Sequence, residues 1–288
     1  MLDIAKLGAR FGPDARLVDP DRAVAYARAT NDDGPASGLG NGSAPRLVPP
    51  LFAVVPTWDT TMAAVHDAVP AEAMGMLLHL SQDMHFVRPL IAGEELLTDA
   101  LIRAIRARRA GAQITVEVTS RIDSGAVVLR QYATMFIRGL GGGESGGDEA
   151  PGHAFPSAGR PEPSAERTVH IDADQTLRYA EASGDGNRIH LDGSFAREMG
   201  LPGIIVHGMC TMAFCCRSVL AETAGGDPAL LRRLAVKFSR PVLPDSDLTT
   251  TLFAGGQAGD RRRVLFEARS RGEAVIKDGL AEIGPPEN

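Results

Sequence analysis

Several features that define large protein classes are missing from this chain of 288 residues. It has no run of about 20 apolar residues, so we expect no transmembrane helix and no membrane partner. Its first residues include an early acid and lack the apolar core of a signal peptide. We therefore expect no secretory signal. The net charge of −6 argues against a generally basic surface, so we expect no nucleic-acid partner.

Cysteine is also scarce. The three cysteines, Cys210, Cys215 and Cys216, are an odd number and lie close together in an apolar segment. This pattern argues against a disulfide framework and favours a reducing, cytoplasmic location. We expect all three to be buried structural thiols.

What is present describes a globular protein with two halves. Hydrophobic residues make up 44% of the chain and charged residues 23%. Residues 139–164 are rich in Gly, Pro, Ser and Glu, a composition that cannot build a packed core. This segment is predicted to link an N-terminal domain at residues 1–138 to a C-terminal domain at residues 165–288.

The two halves repeat each other weakly and in the same order. Residues 26–32 match residues 179–185 at an offset of 153, since both begin Tyr-Ala and end in Asp. Further on, Phe86 to Pro89 matches Phe238 to Pro241 at an offset of 152. Two landmarks with nearly the same offset indicate a duplication.

Each half contains one predicted helix followed by strands. Apolar and polar residues alternate over 114–118, the period of a half-buried strand. The helix predicted at residues 209–221 is apolar almost all round, so we expect a sheet to bury it. Together these patterns predict an α+β protein with two similar domains. The other predicted elements are a helix at 59–69 and strands at 127–137, 248–253, 265–269 and 274–283.

The chemistry-bearing residues are concentrated in the second half. Asp185, Asn187 and His190 place a carboxylate, an amide and an imidazole within six residues, and Gly208 precedes the apolar helix. A carboxylate and an imidazole that share one water can act as acid and base. A backbone N–H at the start of a helix can stabilise a developing oxyanion. The pattern suits proton transfer on a carbonyl compound.

Residues 179–192, Tyr-Ala-Glu-Ala-Ser-Gly-Asp-Gly-Asn-Arg-Ile-His-Leu-Asp, are followed by Ile-Val-His-Gly-Met at 205–209. This long ordered motif resembles the MaoC-like dehydratases, and more narrowly the type-2, (R)-specific enoyl-CoA hydratases. The repeated halves resemble their two-domain members. The resemblance implies an α+β double hot-dog fold, with two antiparallel sheets each wrapped around a long central helix.

Carried over residue by residue, the resemblance makes Asp185 and His190 the pair that holds and activates water. Asn187 would help to fix that site. Gly208 would offer its backbone N–H to the thioester oxygen. His207 and Met209 are expected beside the substrate, with His207 mainly a hydrogen-bonding support.

The first half departs from this motif. Asp32 matches Asp185, but Gly34 and Ser37 stand where Asn and His are needed. One active site per chain is therefore implied, with the degenerate N-terminal half helping to form the acyl-chain pocket.

The implied reaction interconverts trans-2-enoyl-CoA and (R)-3-hydroxyacyl-CoA. The partner is an acyl-CoA thioester, and coenzyme A enters only as part of the substrate. No metal and no redox cofactor are expected. A homodimer is plausible, although a chain with two hot-dog domains can already pair within itself.

Several alternatives stay open. The same motif serves a dehydratase for carrier-protein-bound or unusual acyl groups. A non-catalytic acyl-thioester binding module is disfavoured because it does not need all three polar residues of the motif, and a hot-dog thioesterase is disfavoured by the length of the match.

The polar residues also have less specific interpretations. Asp and Asn favour turns and local backbone bonds, so a motif that only braces a turn is one less favoured interpretation. An iron site formed by Asp185, His190, Asp192 and His207 is another. Several basic residues are candidates for contact with coenzyme A phosphates, but charged residues on strand edges are more often simply solvated. These candidates are Arg232, Arg233, Lys237, Arg240 and the run 261–263.

Overall fold

The computed structural model describes residues 1–32, 47–155 and 161–285. Five helices and eleven strands follow one another there, with short 3-10 turns between some of them. The elements are β1 (Arg10–Leu17), α1 (Pro20–Ala29), α2 (Val54–Ala68), β2 (Leu77–Phe86), β3 (Glu95–Arg108), β4 (Gly111–Arg121), β5 (Val127–Arg138), β6 (Gly146–Gly147), β7 (Pro163–Ile171), α3 (Gln175–Ser183), α4 (Gly193–Glu198), α5 (Gly208–Ala224), β8 (Leu231–Phe238), β9 (Ser246–Ala258), β10 (Arg261–Ser270) and β11 (Glu273–Ile283).

The chain forms two compact units. The first contains Met1–Leu17, Pro56–His85 and Glu95–Gly152, and the second contains Val18–Val55, Phe86–Glu94 and His153–Asn288. This division differs from the predicted domain boundaries, because α1 groups with elements of the C-terminal half. The physical reason is direct packing of α1 on α3, which no local pattern reveals.

The first unit is an antiparallel sheet with α2 against one face. Its strands follow the order β1-β3-β4-β5-β2. Ile114, Val116 and Val118 alternate inward along β4 and share a core with Ala64 and Val65 of α2. The predicted strand at 114–118 is therefore confirmed, although Thr115 on its other face is buried as well.

Helix α2 begins earlier than predicted. It runs over Val54–Ala68, whereas the sequence pattern predicted residues 59–69. Proline is tolerated in the first turn of a helix because its missing N–H has no partner there. Pro56 therefore lies inside the helix rather than before it.

Part of the predicted linker is ordered against the first unit. Gly146 and Gly147 pair with β3, and the Arg106 guanidinium donates to the Gly147 carbonyl over 2.8 Å. A Cβ on Gly147 would lie only 2.1 Å from the Arg103 carbonyl oxygen. Glycine is therefore needed for this close approach of two backbones.

The second unit contains a five-stranded antiparallel sheet in the order β8-β11-β10-β9-β7. Helix α5 contacts all five strands. Every residue from Met209 to Cys216 is buried, as the apolar pattern predicted. Since α5 extends over Gly208–Ala224, it is longer at both ends than the predicted helix at 209–221.

The three cysteines are free and buried in α5, as predicted. Burial in apolar surroundings penalises a thiolate, and it raises the pKa of the Cys215 thiol to about 12. The thiols therefore stay neutral and inert near neutral pH.

Candidate active site

The candidate catalytic loop begins where α3 ends. Gly184 terminates the helix in a left-handed conformation with φ of 86°, and its N–H donates to the Ala180 carbonyl over 2.9 Å. This conformation favours glycine and turns the chain sharply. Asp185 follows at once, and its N–H donates to the Ser183 hydroxyl oxygen over 3.2 Å.

Local hydrogen bonds shape the rest of the loop. The Asp185 carboxylate accepts the Asn187 N–H over 3.2 Å, and the Asn187 side-chain oxygen accepts the Ile189 N–H over 3.3 Å. Asn187 thereby caps the short turn Arg188–His190. The amide of this exposed side chain thus braces the loop between the carboxylate and the imidazole.

His190 is buried with one ring nitrogen engaged. Its Nδ1 lies 2.8 Å from the Ile205 carbonyl oxygen. A carbonyl can only accept, so Nδ1 carries the hydrogen and neutral His190 has an unprotonated Nε2. The ring therefore has a lone pair available at Nε2.

His207 joins this group through two contacts. Its Nε2 donates to the Asp185 backbone carbonyl over 3.0 Å, and its ring stacks on that of His190 with centroids 3.7 Å apart. Its Nδ1 is buried without a hydrogen-bond partner among the described residues. One ligand-type atom from each of Asp185, His190 and His207 lies within 4.8 Å of the other two.

Burial tunes all three titrating groups. It raises the pKa of Asp185, against the opposing effects of His190 and of the Asn187 N–H. Burial lowers the pKa of His190, against the opposing effects of Asp185 and of the Ile205 carbonyl. Burial and the neighbouring His190 lower the pKa of His207 to about 3, so His207 is neutral near neutral pH. Shifted groups of this kind suit proton exchange.

Helix α5 begins beside these histidines. His207 is its N-cap residue and makes no side-chain capping bond, while Gly208 is the first helical residue. The first N–H groups of a helix have no partner within the helix and lie at the positive end of its dipole. Gly208 therefore supplies a backbone donor directly after His207 in the chain, and the side chain of the next residue, Met209, is buried.

A tight contact accounts for glycine at position 208. A Cβ at this position would lie 3.2 to 3.4 Å from three atoms of the Phe238 ring. A residue without a side chain also lets a bound molecule approach the backbone closely. Packing of Phe238 against the helix start is an additional reason, which local sequence could not reveal.

Three of the four residues in the iron set, Asp185, His190 and His207, lie together, whereas Asp192 does not join them. The Asp192 carboxylate instead accepts the N–H groups of Ser194 and Phe195, over 3.0 and 3.1 Å, and caps α4. These bonds, the Ser194 hydroxyl and the Arg188 guanidinium hold the pKa of Asp192 well below its usual range. The rings of His190 and His207 are only 26° from parallel, an arrangement poorly suited to directing both lone pairs at one ion.

An aromatic column connects the histidines to the first-half copy of the motif. The rings of His207 and Tyr179 are 4.8 Å apart, those of Tyr179 and Tyr26 are 5.4 Å apart, and those of Tyr26 and Phe52 are 5.7 Å apart. The packing of Tyr26 against Tyr179, next to the site, was not predicted from the sequence. The signal was present in the repeat, where Tyr26 and Tyr179 hold equivalent places.

Asp32, the first-half counterpart of Asp185, lines a separate cavity of about 120 Å³. The predicted replacements Gly34 and Ser37 lie outside the described residues. The cavity is mostly apolar with a few charged side chains. Its lining includes Tyr26, Pro50, Leu51, Ala213, Arg217 and Leu220.

Most of the basic residues considered for phosphate binding are engaged with protein groups. Arg232 is 1% exposed and donates to three backbone carbonyls, including that of Pro285 over 2.7 Å. Lys237 pairs with Asp278 over 2.8 Å, and Arg263 pairs with Glu282 over 3.1 Å. These contacts favour structural roles for them.

Comparison with known families finds a match in each half. A MaoC-like domain matches residues 156–273, and the N-terminal domain of the multifunctional enzyme type 2 hydratase 2 matches residues 42–139. The match in the first half ends and the match in the second half begins within the segment predicted as a linker, residues 139–164.

Two curated relatives are similar over most of this chain. The 3-hydroxyacyl-thioester dehydratase Y of Mycobacterium tuberculosis is 32% identical over 213 residues, covering 72% of each protein. The peroxisomal multifunctional enzyme type 2 of Drosophila melanogaster is 31% identical over 210 residues, covering 72% of this chain. The matched region spans only 34% of that longer enzyme.

Solved structures agree on the fold. A MaoC-like dehydratase from Phytophthora capsici superposes with a TM-score of 0.82 at 21% identity, covering 99% of this chain and 98% of the other. A Mycobacterium tuberculosis protein described as a double hot-dog superposes with a TM-score of 0.60 at 15% identity, covering 97% and 96%. These likenesses establish the double hot-dog fold alone. Within the described residues, no helix is long and apolar enough to span a membrane.

Proposed function

Because this chain belongs to the MaoC-like dehydratase family, we propose that it is a hydratase and dehydratase of acyl thioesters. In its finer form, the proposal is that the protein interconverts trans-2-enoyl-CoA and (R)-3-hydroxyacyl-CoA. The observation that carries it is the proximity of Asp185 and His190, with Nε2 of His190 available for proton transfer.

The proposed reaction needs two proton transfers around one water. In hydration, the water oxygen adds to Cβ while a base takes one of its protons, and Cα then receives a proton. Asp185 and His190 share these steps, and each contributes about 10²–10⁴-fold as a general acid or base. Burial brings their pKa values towards each other, which favours proton exchange between them through the bound water.

The thioester oxygen carries negative charge between the two transfers. We assign its stabilisation to the Gly208 N–H at the start of α5. Loss of one such donor typically costs about 10²–10³-fold in rate. Asn187 supports the loop, while His207 and Met209 are proposed to line the thioester end of the site.

A second candidate is dehydration of 3-hydroxyacyl groups on a carrier protein. The relative named a 3-hydroxyacyl-thioester dehydratase supports the thioester class without specifying the carrier. We favour coenzyme A as the carrier, as part of the substrate, and propose no other cofactor and no metal. Measured rates with matched crotonyl-CoA and crotonyl-carrier-protein substrates decide between the two.

The first half is proposed to contribute to acyl-chain binding. The apolar cavity beside α5, lined by Leu51, Ala213 and Leu220, supports this proposal.

We also propose a cytoplasmic location, supported by three free buried thiols, and a monomer or homodimer. Sedimentation equilibrium distinguishes the last two.

The test of the function is loss of enoyl-thioester absorbance when the purified protein is mixed with crotonyl-CoA. We expect a 3-hydroxybutyryl-CoA product of (R) configuration by chiral chromatography. Asp185→Asn and His190→Gln should each remove the activity while circular dichroism stays that of the wild type. An active wild type together with full activity in either variant would contradict the proposed mechanism.

A further inference from the structure

The two copies of the repeated motif contact each other inside the second unit. Helix α1 carries the first-half copy and α3 carries the second-half copy. The hydroxyls of Tyr26 and Tyr179 lie 3.4 Å apart, and both side chains are buried. Since these tyrosines hold equivalent places in the two copies, their contact marks a local two-fold relationship.

Hydrogen bonds on both sides of the tyrosines repeat this symmetry. Gln175, four residues before Tyr179, donates to the Ala29 carbonyl, three residues after Tyr26. Arg22, four residues before Tyr26, donates to the Ala182 carbonyl, three residues after Tyr179, over 3.5 Å. Each helix therefore satisfies a backbone carbonyl at the carboxyl end of the other.

Arg22 makes one further contact that Gln175 does not reproduce. Its Nη2 also donates to the Ser183 carbonyl over 3.3 Å. A Cβ built on Gly184 would lie 3.6 Å from the same nitrogen, so the guanidinium lies against the turn that precedes Asp185. Its positive charge also complements the negative end of the α3 dipole.

The backbone around Asp185 is thus held on both sides. Arg22 donates to the carbonyl of Ser183, two residues earlier, and the His207 ring donates to the carbonyl of Asp185 itself over 3.0 Å. The loop that follows leads to His190 within five residues. A displacement of about 1 Å at a reacting group can cost about 10²-fold in rate.

We propose that Arg22, from the copy without catalytic residues, is a positioning residue for the catalytic loop. Its guanidinium holds the turn at Ser183 and Gly184 so that the Asp185 carboxylate meets His190. This inference rests on the proposed function. It gives the degenerate copy a role in orienting the active copy, in addition to any role in substrate binding.

Two substitutions of Arg22 separate the effect of its hydrogen bonds on kcat from the effect of its charge. Arg22→Gln and Arg22→Met both remove the charge and keep a long side chain, but only glutamine keeps an N–H donor. The mirror residue Gln175 shows that an amide at this place reaches the opposite helix. We expect kcat for crotonyl-CoA to fall about 10-fold in Arg22→Met, with KM changed less than about 2-fold. Arg22→Gln should recover at least half of the wild-type kcat.

Gln175→Met is the matched control, because it removes the mirror bond at the end of α1, away from Asp185. Gln175 is fully buried and also accepts the Asp172 N–H over 3.2 Å, so we expect a drop in melting temperature at least as large as that of Arg22→Met, with a wild-type kcat. Either a wild-type kcat in Arg22→Met or an equal loss of kcat in Gln175→Met overturns the positioning role.

Amide hydrogen exchange tests the inference independently of activity. We expect the Gly184 and Asp185 amides to exchange faster in Arg22→Met than in the wild type, and to be unchanged in Gln175→Met. An inactive wild type would overturn the proposed function alone. Unchanged exchange at both amides in Arg22→Met would overturn this inference alone.

Discussion

Replacing Gly208 by alanine tests why glycine stands at the start of α5. Gly208 is the first helical residue, where the backbone accepts alanine without strain. The added Cβ meets the Phe238 ring at 3.2, 3.3 and 3.4 Å, which is tighter than ordinary van der Waals contact. The ring or the helix start must therefore move by a few tenths of an ångström.

The size of the effect follows from this contact. Overpacking of this kind typically costs about 1–3 kcal/mol, and alanine offsets part of it because it orders the helix more easily than glycine. We expect a net loss of at most about 2 kcal/mol in the free energy of unfolding. We also expect kcat for crotonyl-CoA hydration to fall by about 10- to 100-fold. The reason is that the displaced N–H of residue 208 no longer forms a good hydrogen bond with the thioester oxygen.

Phe238→Leu supplies the partner variant for a double-mutant cycle. We measure stability by urea unfolding and activity by crotonyl-CoA hydration. We expect Phe238→Leu to restore most of the activity of Gly208→Ala, because leucine is smaller than the phenylalanine ring and leaves room for the added Cβ. If Gly208→Ala keeps the wild-type rate, the contact with the Phe238 ring does not determine the position of the N–H of residue 208. If Phe238→Leu restores stability without activity, glycine is needed for the approach of the substrate itself.

Three further outcomes are expected. Asp185→Asn and His190→Gln should each lower kcat by at least about 10²-fold in the hydration assay, and a smaller loss contradicts a direct role in proton transfer. Because the folded-state pKa of His207 is lowered from 6.5 to about 3, its contribution to stability is present above pH 6.5 and is lost as pH falls towards 3. His207→Gln should therefore show a shallower fall in melting temperature over that range, and an unchanged slope argues against the shift. Ala213→Leu should reduce kcat/KM for long-chain enoyl-CoA while sparing crotonyl-CoA, and equal effects on both chain lengths contradict acyl binding in the cavity.

Local sequence patterns predicted seven of the sixteen helices and strands in the described residues, namely α2, α5, β4, β5, β9, β10 and β11. Alternation predicted the strand through Val116, and the apolar composition predicted the burial of α5, because both depend on the period of one element. The early start of α2 was missed because prolines and polar residues mask its first turn. The pairing of Gly146 and Gly147 with β3 was missed because a glycine-rich composition does not indicate which backbone approaches it.

The sequence by itself determined the residue types of the candidate site and the spacing of Asp185, Asn187 and His190, because these lie in one short segment. Only the tertiary structure decided the tautomer of His190, through the Ile205 carbonyl, and the stacking of His207 on its ring. It alone also brought Arg22 to the turn before Asp185, across a separation of 161 residues to Ser183. Such contacts join residues far apart in the chain, and side-chain packing rather than local propensity selects them.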